Sequence, residues 1–155
     1  MDGGADPLVA TEGGTTPLML AAGAGTDVQR PRSPEERAMA IQTVRYLVDR
    51  GADVNAAGQF GWTALHSASY QGLNDVVEFL ARKGAKLDAM DSLGQTPLSI
   101  SLSVLTKDAG ARRLQIPRRF RGDTADLLLK LGATPLNKSG VVVVLQRNGD
   151  LVAGD

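Results

Sequence analysis

The chain has 155 residues, enough for one domain, and its 17 lysines and arginines balance its 17 aspartates and glutamates. This neutral balance favours neither a nucleic-acid-binding nor a membrane-surface protein. The sequence has no cysteine, which excludes disulfides and thiolate metal sites, and no run near the roughly 20 apolar residues of a membrane helix. Its first residues lack the basic start and apolar run of a signal peptide, which favours the cytoplasm without fixing the compartment.

Two short motifs recur along the chain. A glycine followed two positions later by threonine, and then by Pro-Leu or Ala-Leu, begins at Gly14, Gly61 and Gly94. A Gly-Ala pair begins at Gly51, Gly84 and Gly132. The steps from Gly61 to Gly94 and from Gly51 to Gly84 are both 33 residues. Each unit is predicted to hold two short helices, which cannot bury their apolar faces alone and must stack on their copies.

In this period and in the motifs Gly-x-Thr-Pro-Leu and Gly-Ala-Asp-Val-Asn, residues 4–135 resemble the ankyrin-repeat family. The resemblance implies an all-α solenoid of stacked helix-turn-helix units with β-turn fingers. Two long inter-helix insertions and a candidate C-terminal β-hairpin are added to that plan here. It also implies binding through the concave face formed by the fingers and first helices, with no catalytic activity and no cofactor.

The resemblance assigns structural roles to a set of repeated positions. Threonines begin the first helices, a histidine follows one of them, and glycines end the second helices: Thr16, Thr63, Thr96, His66, Gly51, Gly84 and Gly132. We also expect two core columns in the second helices. Four residues before each closing glycine stand Leu47, Leu80 and Leu128, and five before it stand Tyr46, Phe79 and Leu127.

Residues 1–13 are interpreted as the remnant of a preceding repeat. Gly4-Ala5-Asp6 precedes Gly51-Ala52-Asp53 by 47 residues. Terminal repeats normally present polar outer faces, whereas the first helix here carries Leu18, Leu20 and Ala22. We therefore expect the chain to be a piece of a longer protein.

The first repeat, residues 14–56, carries an insertion at about residues 24–37. The run Ser33-Pro34-Glu35-Glu36 supplies an N-cap, a first-turn proline and a capping-box glutamate in register. The second helix of this repeat is therefore predicted to run from Pro34 to Arg50. The insertion is either an elbow that contacts a partner or a solvated loop, and its mixed charges favour the loop.

The second repeat, residues 57–89, has normal length and provides the predicted partner-binding residues. Phe60 and Trp62 lie in its finger, Tyr70 ends its first helix, and Leu93 belongs to the next finger. Aromatic side chains on such a face resemble the anchors that dominate binding energy at interfaces. The alternative is that Trp62 packs on the neighbouring finger and Tyr70 on the next helix.

His66 is the only histidine in the chain. A metal or general-base role would need further ligands or catalytic partners, and the sequence offers no cysteine and no second histidine. We interpret His66 as a structural residue that ties neighbouring loops by hydrogen bonds, as its position in the family motif implies.

The third repeat, residues 90–135, leaves its first helix ambiguous. Leu98, Ile100, Leu102 and Val104 alternate with serines, which is typical of a strand. The register with Leu18 and Leu65 favours a helix, and we predict the helix because stacking on the second repeat requires one.

A basic insertion at about residues 106–121 follows. This segment contains six basic residues and one acidic residue. The predicted electrostatic contacts are Arg112, Arg113, Arg118, Arg119 and Arg121. They could bind an acidic protein, a phosphate-rich ligand or nucleic acid, or they could be solvated and paired with nearby carboxylates. Because both insertions occupy the same slot of their repeats, we expect them to emerge on one edge and to flank the second repeat.

Residues 136–155 form a tail with a strand candidate, Val141–Leu145, a turn signal at Arg147–Asp150 and a return strand at Leu151-Val152. This predicted hairpin either caps the third repeat or pairs with another chain through its edge.

The sequence as a whole predicts a non-catalytic protein–protein interaction module. It contains no phosphate-binding Gly-rich motif and no set of residues suited to nucleophilic catalysis. The expected partner is a protein, which includes other domains of a parent protein, rather than nucleic acid. Two alternatives stay open: a structural spacer or regulatory domain of a larger protein, and a self-associating repeat array.

Overall fold

A computed structural model of the chain describes residues 8–26, 32–102 and 121–135, together with the backbone of two short strands. The described residues form six helices, α1 to α6, and two strands, β1 and β2. Their bounds are α1 Pro17–Ala21, α2 Pro34–Asp49, α3 Ala64–Gln71, α4 Asn74–Arg82, α5 Pro97–Ser101, α6 Gly122–Leu131, β1 Val144–Leu145 and β2 Leu151–Val152.

The helices stack as a two-layer solenoid. Helices α1 and α2, α3 and α4, and α5 and α6 contact each other as pairs. In one layer α3 contacts α1 and α5, and in the other layer α4 contacts α2 and α6. This is the all-α stacking that the repeat period predicts, and it gives the second repeat a neighbour on both sides.

The core consists of small and aliphatic side chains in repeated columns. Leu18, Leu65 and Leu98 of the first helices are each 1% exposed, and Leu47, Leu80 and Leu128 of the second helices are also buried. The other predicted column is wrong at Tyr46, which is 49% exposed. Its ring lies under the Arg50 guanidinium at 4.6 Å. The equivalent Phe79 has Lys83 of its own helix and also Arg45 of the preceding repeat over its ring, each at 5.5 Å, which accounts for its greater burial.

Each first helix begins at a threonine whose side chain accepts a backbone hydrogen bond. Thr16, Thr63 and Thr96 accept from the amides three residues later. In the longer α2, Ser33 and Glu36 exchange side-chain and backbone hydrogen bonds as a capping box, so the predicted start at Pro34 is confirmed. Helix α2 has 16 residues and α4 has 9, so the first repeat does carry the longer second helix.

Serines in α5 explain why an alternating pattern gives a helix. Ser99 and Ser101 are fully buried. The Ser99 hydroxyl donates to the Thr96 carbonyl at 2.9 Å, and the Ser101 hydroxyl donates to the Leu98 carbonyl at 2.8 Å. Because each hydroxyl is satisfied within its own helix, these serines can be buried on the packed side, and the helix prediction for α5 is confirmed.

Neighbouring fingers are joined through their backbones. The Gln59 amide donates to the Gly13 carbonyl at 3.3 Å, and the Ser92 amide donates to the Phe60 carbonyl at 2.8 Å. Gly61 has a φ of +72°, and a Cβ there would lie 3.0 Å from the Asp91 Cα. A side chain at this position would therefore force the two fingers apart.

His66 links the second and third repeats from inside. Its ring is buried, with Nδ1 at 2.8 Å from the Thr63 hydroxyl and 3.2 Å from the Thr63 amide nitrogen. Its Nε2 lies 3.1 Å from the carbonyl of Gln95 in the next repeat. Since the carbonyl only accepts, this geometry places the proton on Nε2. Burial lowers the pKa of His66, while the Gln95 carbonyl and the Asp91 carboxylate act in the opposite direction.

The two insertions leave the solenoid at one edge, on either side of the turn between α3 and α4. The Gln71 amide nitrogen donates to the carbonyls of Gly23 and Thr26 at 3.1 and 3.2 Å and to the Thr26 hydroxyl at 2.8 Å. On the other side, the Arg121 side chain lies against Gly72. The described ends of the two insertions therefore lie on either side of the second repeat, and the course of the insertions between these ends stays a prediction.

The tail contains the expected strand pairing. Strands β1 and β2 are antiparallel, with Val144 opposite Val152 and Leu145 opposite Leu151. Residues 141–143 of the predicted strand, the turn at 147–150 and the remnant motif at 4–7 lie outside the described residues. Whether the hairpin caps the third repeat stays a prediction.

The buried His66 predicts a pH dependence of stability. The unfolded chain takes up a proton near its ordinary pKa of 6.5, and the folded state does so only at lower pH, so the free energy of unfolding should fall as the pH drops below about 6.5. We expect urea unfolding at about pH 7.5 and about pH 5.5 to show this fall, in a window above most carboxylate titrations. His66→Gln should be less stable by about 1–3 kcal/mol at the higher pH and should lack the fall. Equal pH slopes in the two proteins would contradict the assignment.

The hydrogen bonds from Gln71 to the first insertion can be tested by substituting two glycines of the same loop. A Cβ on Gly23 would lie 2.6 Å from the Gln71 Cγ, whereas a Cβ on Gly25 would meet no atom within 4 Å. Both have positive φ, so both alanine variants carry backbone strain of about 1–2 kcal/mol. Gly23→Ala should lower the free energy of unfolding by roughly a further 1–2 kcal/mol, because the Gln71 side chain must leave its hydrogen-bonding position. Thermal unfolding measures this difference. An equal loss of stability in the two variants would show that the Gln71 hydrogen bonds contribute nothing to stability.

Candidate functional site

Three of the four predicted anchor residues line one groove. The groove has a volume of about 390 Å³ and lies between the first and second repeats, on the side of the fingers and first helices. Phe60, Trp62 and Tyr70 form its wall in the second repeat. The first repeat contributes Met19 and a glycine-rich stretch from Gly23 to Gly25. An open groove with aromatic walls and small residues opposite can admit a side chain from another molecule.

Trp62 and Tyr70 hold each other in place. Their rings meet edge to face, with centroids 6.2 Å apart and planes at 81°. The Trp62 ring also lies 5.4 Å from the His66 ring, and its Nε1 donates to the Ser67 hydroxyl at 2.8 Å. Both aromatic residues are half-buried. The indole is therefore fixed by its own repeat and still presents part of its surface to the groove.

Phe60 is the most exposed of the three aromatic residues. It is 66% exposed at the tip of its finger, while its carbonyl oxygen is bonded to the Ser92 amide of the next finger. The backbone that carries the side chain is thus anchored although the ring itself packs little. An exposed aromatic ring on a fixed backbone suits binding, because the backbone is already ordered and only the side chain loses conformational entropy when the ring is covered.

Leu93 is not brought together with the other three anchors. It is half-buried in the third finger and is not among the residues that line the groove. Its amide donates to the Asp91 carboxylate at 2.8 Å, which closes the tight turn of that finger. The groove opens between repeats one and two, whereas Leu93 belongs to the junction of repeats two and three.

The first repeat supplies residues that the sequence did not single out. Met19 is 2% exposed beneath the groove, and the first repeat also contributes Thr15 and Thr26 to its lining. Small residues opposite the aromatic wall of the next repeat could have indicated the groove. In the sequence, however, Gly23-Ala24-Gly25 resembles an ordinary repeat turn followed by a solvated loop.

The basic insertion is described only at its last residue. Arg112, Arg113, Arg118 and Arg119 lie outside the described residues. Arg121 is half-buried just before α6, and its amide donates to the Ser101 carbonyl at 2.8 Å. Burial raises the pKa of the nearby Tyr70 hydroxyl, and the positive charge of Arg121 acts to lower it. Arg121 therefore lies close to the Tyr70 end of the groove, against Gly72.

Other kinds of site find no support in the described part of the chain. No group of three or more histidine, aspartate or glutamate side chains there is arranged to hold a metal ion. Asp88 bonds the amide and hydroxyl of Thr134, and Asp91 bonds the amides of Leu93 and Gln95. These carboxylates are engaged in turns between repeats. Among the described helices, none combines the length and apolar character needed to cross a membrane.

Comparison with known proteins agrees with this architecture. Residues 35–110 match the family described as ankyrin repeats (3 copies). The chain is 30% identical to neurogenic locus notch homolog protein 1 of Xenopus tropicalis over 124 residues, which are 79% of this chain and 5% of that protein. It is also 30% identical to the neurogenic locus Notch protein of Drosophila melanogaster over 145 residues, 92% of this chain and 5% of that protein.

A shorter match involves serine/threonine-protein kinase 12 of Arabidopsis thaliana, 42% identical over 59 residues, which are 38% of this chain and 13% of that protein. The chain therefore spans a small part of the length of each of these relatives. Ankyrin repeats are in general non-catalytic modules for protein–protein interaction. The helix pairs, the finger turns and the matched repeats together show that the chain belongs to the ankyrin-repeat family.

Proposed function

We propose that this chain binds a protein partner noncovalently through the groove lined by Phe60, Trp62 and Tyr70. The observation that carries the proposal is the convergence of these three aromatic residues on one open groove at the face of the fingers and first helices. Contiguous apolar surface marks interaction sites, and the exposed Phe60 ring lines the same groove as the half-buried Trp62 and Tyr70.

Rigidity of the groove supports the proposal. Its finger is bonded to the fingers on both sides, through Gln59 and through the Phe60 carbonyl. Trp62 is fixed by Ser67 and by the rings of His66 and Tyr70. A partner would meet a surface that is already ordered, so the entropy cost of binding falls mainly on the partner.

The groove also matches the usual composition of an interface centre. Aromatic residues and methionine are enriched in the cores of protein interfaces, and a few buried aromatic anchors supply most of the binding free energy. Here Met19 and the three aromatic residues surround the same space. The more exposed polar residues of the lining, Thr15, Thr26 and Gln59, can form the polar rim.

We predict that Phe60→Ala weakens capture of the partner by at least roughly tenfold, because it removes an anchor from the interface centre. Immobilised wild-type and variant chains would be exposed to an extract of the cells that make the protein, and the captured proteins would be quantified by mass spectrometry. Folding should be nearly unaffected, since the Phe60 ring is mostly exposed.

Tyr46→Ala is the matched control. Tyr46 is an exposed aromatic residue in α2, in the other helix layer, so its removal takes a similar area from a different face. A partner lost with Phe60→Ala and retained with Tyr46→Ala supports the groove. If Tyr46→Ala causes the loss, or if no protein is enriched over a solenoid of unrelated surface, the proposal fails and a spacer role takes its place.

A further inference from the structure

One row of side chains on α2 faces away from the second repeat. By the step of 33 residues, Thr43 and Tyr46 correspond to Val76 and Phe79 of α4. In α4 this row is covered, since Val76 is 1% exposed and Arg45 of the preceding repeat lies over the Phe79 ring. In α2 the row is open: Thr43 is exposed and Tyr46 is 49% exposed.

The open row runs the length of α2. Its members stand three or four residues apart, which places them on one side of the helix. They are Glu35, Met39, Thr43, Tyr46 and Arg50. Met39 is 68% exposed, and Glu35 and Arg50 are exposed as well. The Arg50 guanidinium lies over the Tyr46 ring, which holds it in the row. The row therefore has an acidic end, an apolar middle and a basic end.

The row is complementary to itself when it is read in the opposite direction. Glu35 and Arg50 are equally far from the midpoint between residues 42 and 43, and so are Met39 and Tyr46. Two α2 helices that lie antiparallel about this midpoint place each glutamate opposite the arginine of the other copy. The same arrangement places each Met39 sulfur against the Tyr46 ring of the other copy, which is a favourable contact.

We propose that two copies of this chain associate through this row, with their α2 helices antiparallel, as a two-fold symmetric dimer. Leu20 of α1 extends the apolar surface into the other helix layer. It is 47% exposed, whereas its equivalents Ser67 and Ile100 are 2% and 8% exposed. The dimer contact is separate from the groove, which lies between the first and second repeats.

The length of α2 favours a second copy over a further repeat of ordinary length. Helix α2 has 16 residues, whereas α4 has 9. Met39 corresponds to Gly72, which precedes the start of α4. A covering helix as short as α4 would therefore reach Tyr46 and leave Met39 and Glu35 open. The α2 helix of a second copy is long enough to cover the whole row.

The other charges of α2 are compatible with this pairing. Glu36 lies at the same end as Glu35 and strengthens the acidic end. Asp49 precedes Arg50, and one residue turns about 100° around a helix, which directs Asp49 away from the row. Arg37 is two residues from Glu35 and lies on the opposite side. A wholly acidic or wholly basic partner would meet a like charge at one end of the row, whereas an antiparallel copy meets an opposite charge at both.

The first test is charge reversal, measured by sedimentation velocity at protein concentrations from about 1 µM to about 1 mM. Wild type should change from monomer to dimer over this range. Glu35→Arg and Arg50→Glu should each weaken dimerisation at least roughly tenfold, because each places like charges together at both ends of the interface. The double variant exchanges the two ends and should return to within roughly threefold of wild type. Arg37→Glu is the control and should leave dimerisation unchanged.

Loss of stability does not produce such a recovery. Both reversals oppose the helix dipole at their own end of α2, so their effects on stability add in the double variant while dimerisation is restored. A double variant that stays monomeric would overturn the inference. So would a wild-type chain that is monomeric at every concentration, the result expected if another element covers this face.

Single cysteines locate the contact, because the chain has none of its own. Thr43 lies next to the midpoint, so Thr43→Cys should form a disulfide-linked dimer under mild oxidation. Ala38 is exposed on the same helix but off the row, and Ala38→Cys should stay monomeric. Equal crosslinking of the two variants would contradict the proposed arrangement.

Capture from a cell extract separates this contact from the groove. A second copy held through α2 should be lost with Tyr46→Ala and retained with Phe60→Ala, the reverse of the result expected for the groove partner. Loss of the second copy with Phe60→Ala would place the self-contact in the groove and overturn the inference. The two proposals therefore fail separately.

Discussion

Stacking of neighbouring helix pairs is the constraint on which this structure depends. Helices of five to ten residues, apart from α2, are too short to be stable alone, and each pair has an apolar face that only the next pair can cover. The buried hydrogen bond between His66 and the Gln95 carbonyl fixes the register of this stacking between the second and third repeats. The finger bonds around Gln59 and Phe60 do the same at the surface.

The same stacking creates the groove. Its aromatic wall belongs to one repeat and its glycine-rich wall to the repeat before it, so the groove exists only while the two are held in register. Gln71 adds a second tie between these repeats by binding Gly23 and Thr26. Features that stabilise the fold thus also define the geometry of the binding surface, and loss of a tie should affect both.

Much of the fold could be predicted from local sequence signals. Ser33 with Glu36 marks the start of α2, and Gly72 and Gly84 take the positive φ that helix ends require. These signals depend on a few adjacent residues, so they can be read without knowing the neighbouring repeats. The exposure of Tyr46 could not be predicted in this way. The side chain that covers the equivalent Phe79 comes from the preceding repeat, and such a cover depends on a contact between distant parts of the chain.

The candidate site shows the same limit. Phe60, Trp62 and Tyr70 could be placed on one face from the register of the repeat, and they do line one groove. Leu93 shares the face but lies at the next junction, because the groove opens between the first and second repeats. The position of the glycine-rich stretch from Gly23 to Gly25 depends on the hydrogen bonds from Gln71 to Gly23 and Thr26, which no local pattern indicates.

Site-specific photo-crosslinking tests the central claim most directly. A benzophenone amino acid would replace Phe60 in one chain and Tyr46 in another, and each would be irradiated in the cells that make the protein. We expect a crosslinked partner protein at the Phe60 position and only a second copy of the chain at the Tyr46 position, with the Phe60 crosslink lost when Trp62 is also changed to alanine. A partner protein that crosslinks equally at both positions, or only at Tyr46, would contradict a binding surface in the groove.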